Sequence, residues 1–243
     1  MTSTRIPLIF GAGNVGQPGS EATIVGPAET QKFIDVIVKY GQNGVDTSRI
    51  YGNARLKELF KTSLDALTPH KVRILYLHAP DRSVPYEDTL EAVNQLYQQG
   101  HLLFPCLRKF GIQYAAYSPL AGGFLTGKHL SPDSSNEGTH FDPKWSLAKA
   151  FISRYGHTTS AVLELKEVTD KYQLSLAEVA LRWLQHHSLL VPEDLGVVVG
   201  ASRPAQLEKA LLDSAKGPLP DEVVAACDVT WLRLKAEAKT YFL

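Results

Sequence analysis

The chain has 243 residues, 44% of them hydrophobic and 21% charged, with 25 basic side chains against 25 acidic ones. A formal net charge of zero leaves no electrostatic footprint for nucleic acid or an anionic membrane. The length suits one α/β barrel domain better than two domains.

Ile6-Pro7-Leu8-Ile9-Phe10 reads as a short buried strand. Pro7 and Gly11 interrupt the apolar run after Arg5, which is too short for a signal peptide or a membrane span. Cys106 and Cys227 make no metal-ligand spacing, and a reducing, cytosolic setting is expected. Gly11-Ala12-Gly13-Asn14-Val15-Gly16 matches the G-x-G-x-x-G dinucleotide fingerprint by letter. That fingerprint needs a helix to open at its third glycine, and Gln17-Pro18-Gly19-Ser20 breaks the chain there instead. The glycines read as a mobile loop after the first strand. A Rossmann dehydrogenase stays a minor alternative that a helix over residues 16–27 would favour.

A helix is expected over Ala28–Tyr40, with Phe33, Ile34, Ile37 and Val38 on one face and Gly41 as its stop. Val45-Asp46-Thr47-Ser48-Arg49-Ile50-Tyr51-Gly52 then carries a short strand ending in an acid, with a tyrosine five residues on. If that strand points its C-terminal end at a pocket, Asp46 and Tyr51 both reach it, an arrangement suited to moving a proton. The spacing fits equally well a strand-end acid capping a turn beside a half-buried tyrosine. A helix over Arg55–Leu67, a strand Val72–His78 and a helix from about Pro85 to Gln99 follow, and this strand–helix alternation argues for a parallel sheet.

After Gly100 the rhythm breaks. Phe104–Phe110 allows only two helical turns. The next strand, Ile112–Ser118, leads into Pro119–Lys128, a glycine-rich loop whose backbone N–H groups can reach a phosphate. Residues 131–142 read as a polar excursion or lid. Helices are expected at about 143–155 and 158–172, and Ser175 with Glu178 predicts a capping box for a helix through His187. Gly196–Gly200 is the last strand; Ser202 and Arg203 lead from it into a helix starting near Pro204, a start that can hold an anion or be an ordinary joint. A final helix spans roughly 221–239. His186 and His187 read as a structural cap. The other histidines lack ligand spacing, so no metal is assigned.

The segments VDTSRIYG, ILYLHAPDRSVPYEDTLEAVNQLYQQG, YAAYSPLAGGFLTGK, EVALRWLQHHS and GVVVGASRPAQLEKAL are similar, in order, to those of the aldo-keto reductases, NADPH-dependent (β/α)8-barrel carbonyl reductases. The likeness is nearest to the branch of aflatoxin-aldehyde and succinic-semialdehyde reductases. It implies a single domain over residues 1–243 and a small-molecule carbonyl substrate. It also implies Tyr51 as the general acid, Asp46 as its carboxylate partner and His78 as the group orienting the carbonyl. Tyr117 matches the aromatic that stacks on the nicotinamide. Ser118, Leu120, Gly122, Thr126 and Lys128 match the loop around the diphosphate. Asp46 belongs to the cofactor surface too, and Ser202, Arg203 and Gln206 match the element gripping the adenosine 2′-phosphate end. Ala210 stands where close relatives carry Asn, which weakens the expected adenine contacts.

Two departures are larger. The strand that would carry a lysine between Tyr51 and His78 is missing, because Gly52-Asn53-Ala54-Arg55 runs straight into a helix; Lys57 and Lys61 read as surface residues of that helix. Gln99-Gly100-His101-Leu102 likewise joins directly to a segment resembling the helix after strand six. Five candidate barrel strands are counted where eight are needed, so the expected fold is an incomplete (β/α)8 barrel lacking about three strands, with internal deletions near 52–56 and 100–103. Without the lysine, Asp46 is expected to be a buried charge without its partner, and Tyr51, whose ordinary pKa is about 10, a weaker acid still. The readings left open are an NADPH-dependent aldehyde or ketone reductase, impaired or not, and a catalytically silent relative.

Overall fold

The computed structural model describes residues 4–16, 19, 22–46, 108, 113–130, 136–137 and 139–235. Its described residues fall into two compact units, one drawn from Pro7–Ala116 and Val191–Leu207, the other from Met1–Ile6, Tyr117–Leu190 and Glu208–Leu243.

The first unit is built on a sheet. Strand β1 is Leu8–Gly11, buried at all four positions. A short 3-10 turn, Ala12–Asn14, follows it. Strand β2 (Val15–Gly16) then pairs in parallel with β3 (Ile24–Val25), and helix α1 spans Pro27–Lys39. Strand β4 is Gly44–Asp46, β5 is Ala115–Tyr117 and β6 is Gly196–Gly200. The sheet order is β4-β1-β6-β5. The first strand therefore lies between an early strand and the last one, and runs parallel to both. Strands from the two ends of a chain become neighbours in this way where a parallel sheet closes on itself, as in an α/β barrel. A dinucleotide fold is excluded, because Gly16, Ile24 and Val25 are extended where it needs a helix.

Two glycines permit the β1–β6 contact. Gly196 has φ +135°, and a Cβ there would lie 2.4 Å from the Pro7 carbonyl oxygen. Val197 N–H donates to that same oxygen at 2.9 Å. A Cβ on Gly11 would sit 2.9 Å from Val198 Cγ1. Helix α1 covers the sheet through Phe33, whose ring stacks on Phe10 at 5.1 Å. Ile37 is buried beside it in the sequence pattern, but Val38 is 65% exposed, so the expected apolar face is narrower than its letters suggest.

Ahead of β6, Asp194 holds the turn. Arg108 Nη1 and Nη2 donate to its two oxygens at 2.7 and 2.6 Å, and the N–H groups of Tyr114 and Val191 each donate at 3.0 Å. Burial pushes this carboxyl up, but the Arg108 guanidinium and the two backbone N–H groups outweigh it and hold it below the usual carboxylate range.

The second unit is helical. Helices α2 (Ala148–Tyr155), α3 (Thr159–Lys171), α4 (Leu176–His186) and α6 (Asp221–Leu234) belong to it, and α5 (Pro204–Ser214) continues into it from the first. Helix α2 starts later than its expected position 143. Phe124, Phe141, Val162, Leu165 and Leu176 form one apolar cluster, and Val179, Leu219 and Val223 a second. Phe141 and Asp142 are buried, so the C-terminal part of the expected 131–142 lid is anchored in the core; residues 131–135 and 138 lie outside the described residues. Ser175 Oγ accepts the Glu178 N–H at 3.2 Å, which is one half of the predicted capping box. The Glu178 carboxylate takes Arg182 at 2.9 Å and Lys216 at 2.7 Å in place of the reciprocal bond. His187 accepts the Leu219 N–H at 3.0 Å and His186 bonds the Lys216 carbonyl at 2.7 Å, so both have structural partners, at residues 216–219 rather than near Pro192 where a cap was expected. The fully buried Gln185 amide bonds both the N–H and the carbonyl of Ile6, at 2.7 and 3.1 Å.

The Asp194 arrangement yields a pH prediction. A carboxyl held low in the folded state adds stability above its unfolded pKa of about 3.9, and that stability is lost as pH falls through this value toward the folded pKa. Urea midpoints are expected to fall below about pH 4. Asp194→Asn should lower stability at neutral pH by about 2–3 kcal/mol and flatten that acid limb. An unchanged acid limb in Asp194→Asn, read by circular dichroism, would mean that other carboxylates control it.

Candidate active site

The register β1–β4 pairs Gly11 with Asp46, and the register β1–β6 pairs Gly11 with Gly200. Asp46, Gly11 and Gly200 therefore stand in one row at the C-terminal ends of three parallel strands. Neighbouring strands lie about 4.8 Å apart, so the Asp46 and Gly200 backbones are separated by roughly two such steps. Polar strand ends gathered on one edge are where parallel α/β folds place their chemistry. Asp46 is half-buried rather than fully buried as expected from the sequence, so the penalty for a buried charge is smaller than that expectation implied.

Two residues beyond β6, Ser202, Arg203 and Gln206 are drawn together. Gln206 Oε1 accepts from Ser202 Oγ at 2.8 Å, from Ser202 N–H at 3.0 Å and from Arg203 N–H at 3.1 Å. The local sequence explains this. Arg203 stands before Pro204, where a helix N-cap usually offers a side-chain acceptor, and a guanidinium has none. Gln206, three residues into the helix, reaches back in its place. Asn14 Nδ2 donates to the Ala201 carbonyl at 3.3 Å, tying the turn after β1 to the same strand end. The stretch expected to be a mobile glycine loop is thus held by this bond and by the β2–β3 bridge. Ala210, one turn past Gln206, is buried.

In the helical unit, Ser118, Leu120, Gly122, Thr126 and Lys128 lie on one tightly wound loop. Ser118 (φ 54°), Ala121 (φ 50°), Gly122 (φ 67°), Gly123 (φ 98°) and Gly127 (φ 77°) all have left-handed backbone. Ser118 and Ala121 carry strain there, since non-glycine residues rarely adopt it. Ala121 N–H bonds the Ser118 carbonyl at 2.9 Å, and both Gly123 and Leu125 N–H groups bond the Leu120 carbonyl, at 2.9 and 3.2 Å. Thr126 Oγ1 donates to the Gly123 carbonyl at 2.7 Å. Tyr117, just before this loop, is 70% exposed and offers an open ring face. Ser118, Thr126 and Lys128 are exposed as well.

The loop is held from behind by residues that sequence reading missed. His140 Nδ1 bonds the Gly122 carbonyl at 3.0 Å, and the His140 ring packs at a tilt against Trp145 at 4.6 Å and Phe151 at 5.1 Å. A Cβ on Gly122 would meet Phe151 Cε1 at 2.1 Å. The signal available in the sequence was the aromatic company of His140, which a search for ligand spacing overlooks. Tyr51 and His78 lie outside the described residues, as do the expected joins near 52–56 and 100–103. Among the described residues no group of three His, Cys, Asp or Glu could hold a metal ion, and no helix is long and apolar enough to cross a membrane.

A parallel sheet uniting both ends of the chain, with polar groups at its C-terminal edge, defines an α/β fold of the incomplete-barrel type. The aldo/keto reductase family model matches residues 101–231, more than half of the sequence, and the chain belongs to that family of oxidoreductases. It is 28% identical to aldo-keto reductase pigE of Monascus ruber, over 98% of each chain. It is 30% identical to an aldo-keto reductase of Pseudocercospora fijiensis, over 86% of this chain and 100% of that one. It is also 31% identical to human aflatoxin B1 aldehyde reductase member 4, over 77% of this chain and 73% of that one. A solved glycerol dehydrogenase from Gluconobacter oxydans has the same fold at a TM-score of 0.58, with 16% identity over 100% of this chain and 98% of that one. The comparison with the Monascus ruber protein runs over 334 aligned positions, against 243 residues here, so at least 91 positions have no counterpart in this chain.

The Gly122–Phe151 contact generates a test of the loop. Gly122→Ala should destabilise the protein by about 2–4 kcal/mol through overpacking and left-handed strain. Adding Phe151→Leu should return part of that loss. Strict additivity in the double-mutant cycle, followed by thermal unfolding, would show that the two positions are not in contact.

Proposed function

We propose that this chain is an NADPH-binding carbonyl reductase whose proton-transfer step is weakened by the loss of a lysine beside Tyr51. The observation that carries this reading is the row of strand ends: Asp46 is in register with Gly11, and Gly11 with Gly200, the residue leading into Ser202 and Arg203. The donor set suits the phosphate end of such a cofactor. Ser202 Oγ, Ser202 N–H and Arg203 N–H already converge on a single oxygen at 2.8–3.1 Å, and the exposed Arg203 guanidinium adds charge and bidentate geometry. Ser118, Leu120, Gly122, Thr126 and Lys128 would serve the diphosphate, and Tyr117 would offer its ring face to the nicotinamide, as the family resemblance assigns them. When bound, the cofactor supplies hydride.

The protein's own part is to hold the carbonyl and deliver a proton to its oxygen. Tyr51 is assigned the proton and His78 the orientation of the carbonyl, both from the motif match. A phenol near pKa 10 is a poor donor at neutral pH, and a carboxylate such as Asp46 beside it disfavours phenolate further. A lysine ammonium would counter this, and the sequence between Tyr51 and His78 offers no apolar run that reads as a strand ending in lysine. Deletions at the joins near 52–56 and 100–103, as expected from the motifs, would supply the 91 or more unmatched positions. That shortfall favours a second reading, a catalytically silent relative that retains cofactor binding. The substrate class is a small aldehyde or ketone. The aflatoxin B1 aldehyde reductase relatives favour an aldehyde, and the free thiol of Cys227 fits the reducing, cytosolic setting expected from the sequence.

The test is cofactor titration followed by turnover. NADPH is expected to bind more tightly than NADH, with Arg203→Ala narrowing the difference. NADPH-dependent reduction of 4-nitrobenzaldehyde or succinic semialdehyde should be about 10²–10⁴-fold slower than in a version carrying a relative's intervening segments, and lost in Tyr51→Phe. Equal affinity for both cofactors, or an ordinary rate indifferent to Tyr51→Phe, contradicts the reading. Tight NADPH binding with no turnover selects the silent relative.

A further inference from the structure

We infer that His140 is a positioning residue for the cofactor: its Nδ1–H locks the Gly122–Gly123 peptide in one orientation, and that orientation sets how tightly the glycine-rich loop holds a diphosphate. The inference rests on the NADPH reading above and concerns a residue outside the loop itself. Gly122 and Gly123 both have left-handed backbone, at φ 67° and 98°. Two successive glycines adopt the mirror conformations as readily, so the peptide between them can turn over at little steric cost. Its N–H donates to the Leu120 carbonyl at 2.9 Å, and its carbonyl accepts from His140 Nδ1 at 3.0 Å. A carbonyl oxygen only accepts, so Nδ1 carries the proton in this contact. Turning the peptide over breaks both bonds at once.

His140 is itself fixed by neighbours other than the two glycines. Its ring is wedged between Trp145 and Phe151, with centroids 4.6 and 5.1 Å away. The turn that carries it is closed on itself. Thr139 Oγ1 donates to the Asn136 carbonyl at 2.6 Å and accepts the Phe141 N–H at 3.2 Å, and the Trp145 N–H bonds the Asp142 carbonyl at 2.8 Å. Phe141, the next residue, is buried in the apolar cluster of the helical unit. The donor therefore stands still, and the glycines are the part that can move. Such a lock acts on affinity through population. A loop that spends part of its time with the peptide turned over is binding-competent for only the remaining fraction, and its apparent affinity falls by that fraction.

Calorimetric titration of the full chain with NADPH tests this, using two substitutions that separate the donor from the ring. His140→Phe keeps an aromatic ring and loses the donor, whereas His140→Asn loses the ring and keeps an NH₂ donor at the place of Nδ1. If His140 merely filled space, His140→Asn would be the more damaging change. The lock predicts the reverse for binding: NADPH about tenfold weaker in His140→Phe, and within about threefold of the unaltered chain in His140→Asn. Gly123→Ala acts on the same peptide from its other end and carries the test if His140→Phe folds poorly. A Cβ on Gly123 meets nothing within 4 Å, but φ +98° disfavours any side chain, so alanine drives the peptide over. It should also weaken NADPH about tenfold. Unchanged NADPH affinity in a folded His140→Phe or Gly123→Ala, or a loss in His140→Asn equal to that in His140→Phe, overturns the lock and leaves the cofactor reading standing. No binding of NADPH to the unaltered chain overturns both.

Discussion

The structure depends on one close approach, that of the last strand to the first. Gly196, at φ +135°, brings β6 so near the start of β1 that any side chain would strike the Pro7 carbonyl, which instead accepts the Val197 N–H. Glycine is the residue that adopts this conformation without steric penalty. From that contact the register runs on without interruption from Leu8 opposite Val197 to Gly11 opposite Gly200. The same strand pairs on its other side with β4, and so Asp46 arrives in the row as well. Residues more than 150 positions apart are thereby fixed relative to one another by backbone hydrogen bonds.

Side chains then secure what the backbone begins. Asp194 gathers Arg108, Tyr114 and Val191 around the turn ahead of β6, replacing the water lost on burial with four directed bonds. In the helical unit the equivalent work is apolar and aromatic. Phe124, Phe141, Phe151 and Tyr155 meet with ring centroids 5.8–6.5 Å apart, and the glycine loop is wound against them. Chemistry-bearing loops set on rigid support are the common pattern in α/β enzymes. Here the support includes a segment, His140 to Asp142, whose composition suggests solvent.

Periodicity and motif letters carried much of this. Strand β6, the helix start at Pro204 and the cap at Ser175 follow from apolar runs, proline at the first helical position and a serine three residues before an acid. The family membership followed from ordered motifs rather than from periodicity. What stayed hidden was set by distant partners. Val38 has the spacing of a core residue and lies in water, while Phe141 sits in a polar stretch and lies in the core. Glu178 satisfies the letters of a capping box, yet two cations, Arg182 and Lys216, claim its carboxylate. The grip of Gln206 on Ser202 and Arg203 follows from Arg203 lacking an acceptor, a deduction that needs the helix start fixed to the residue.

The lysine proposed to be missing beside Tyr51 concerns the rate of catalysis, whereas the pairing of β1 with β4 and β6 bears on whether a site edge exists at all. Hydrogen–deuterium exchange of the free chain, resolved to single amides, measures that pairing directly. The account predicts that the amides of Ile9, Phe10, Val197 and Val199 exchange slowest in their unit and open together as one cooperative set. Fast exchange in Leu8–Gly11 beside a protected Gly196–Gly200 would contradict it, because the two strands would then not be paired in solution.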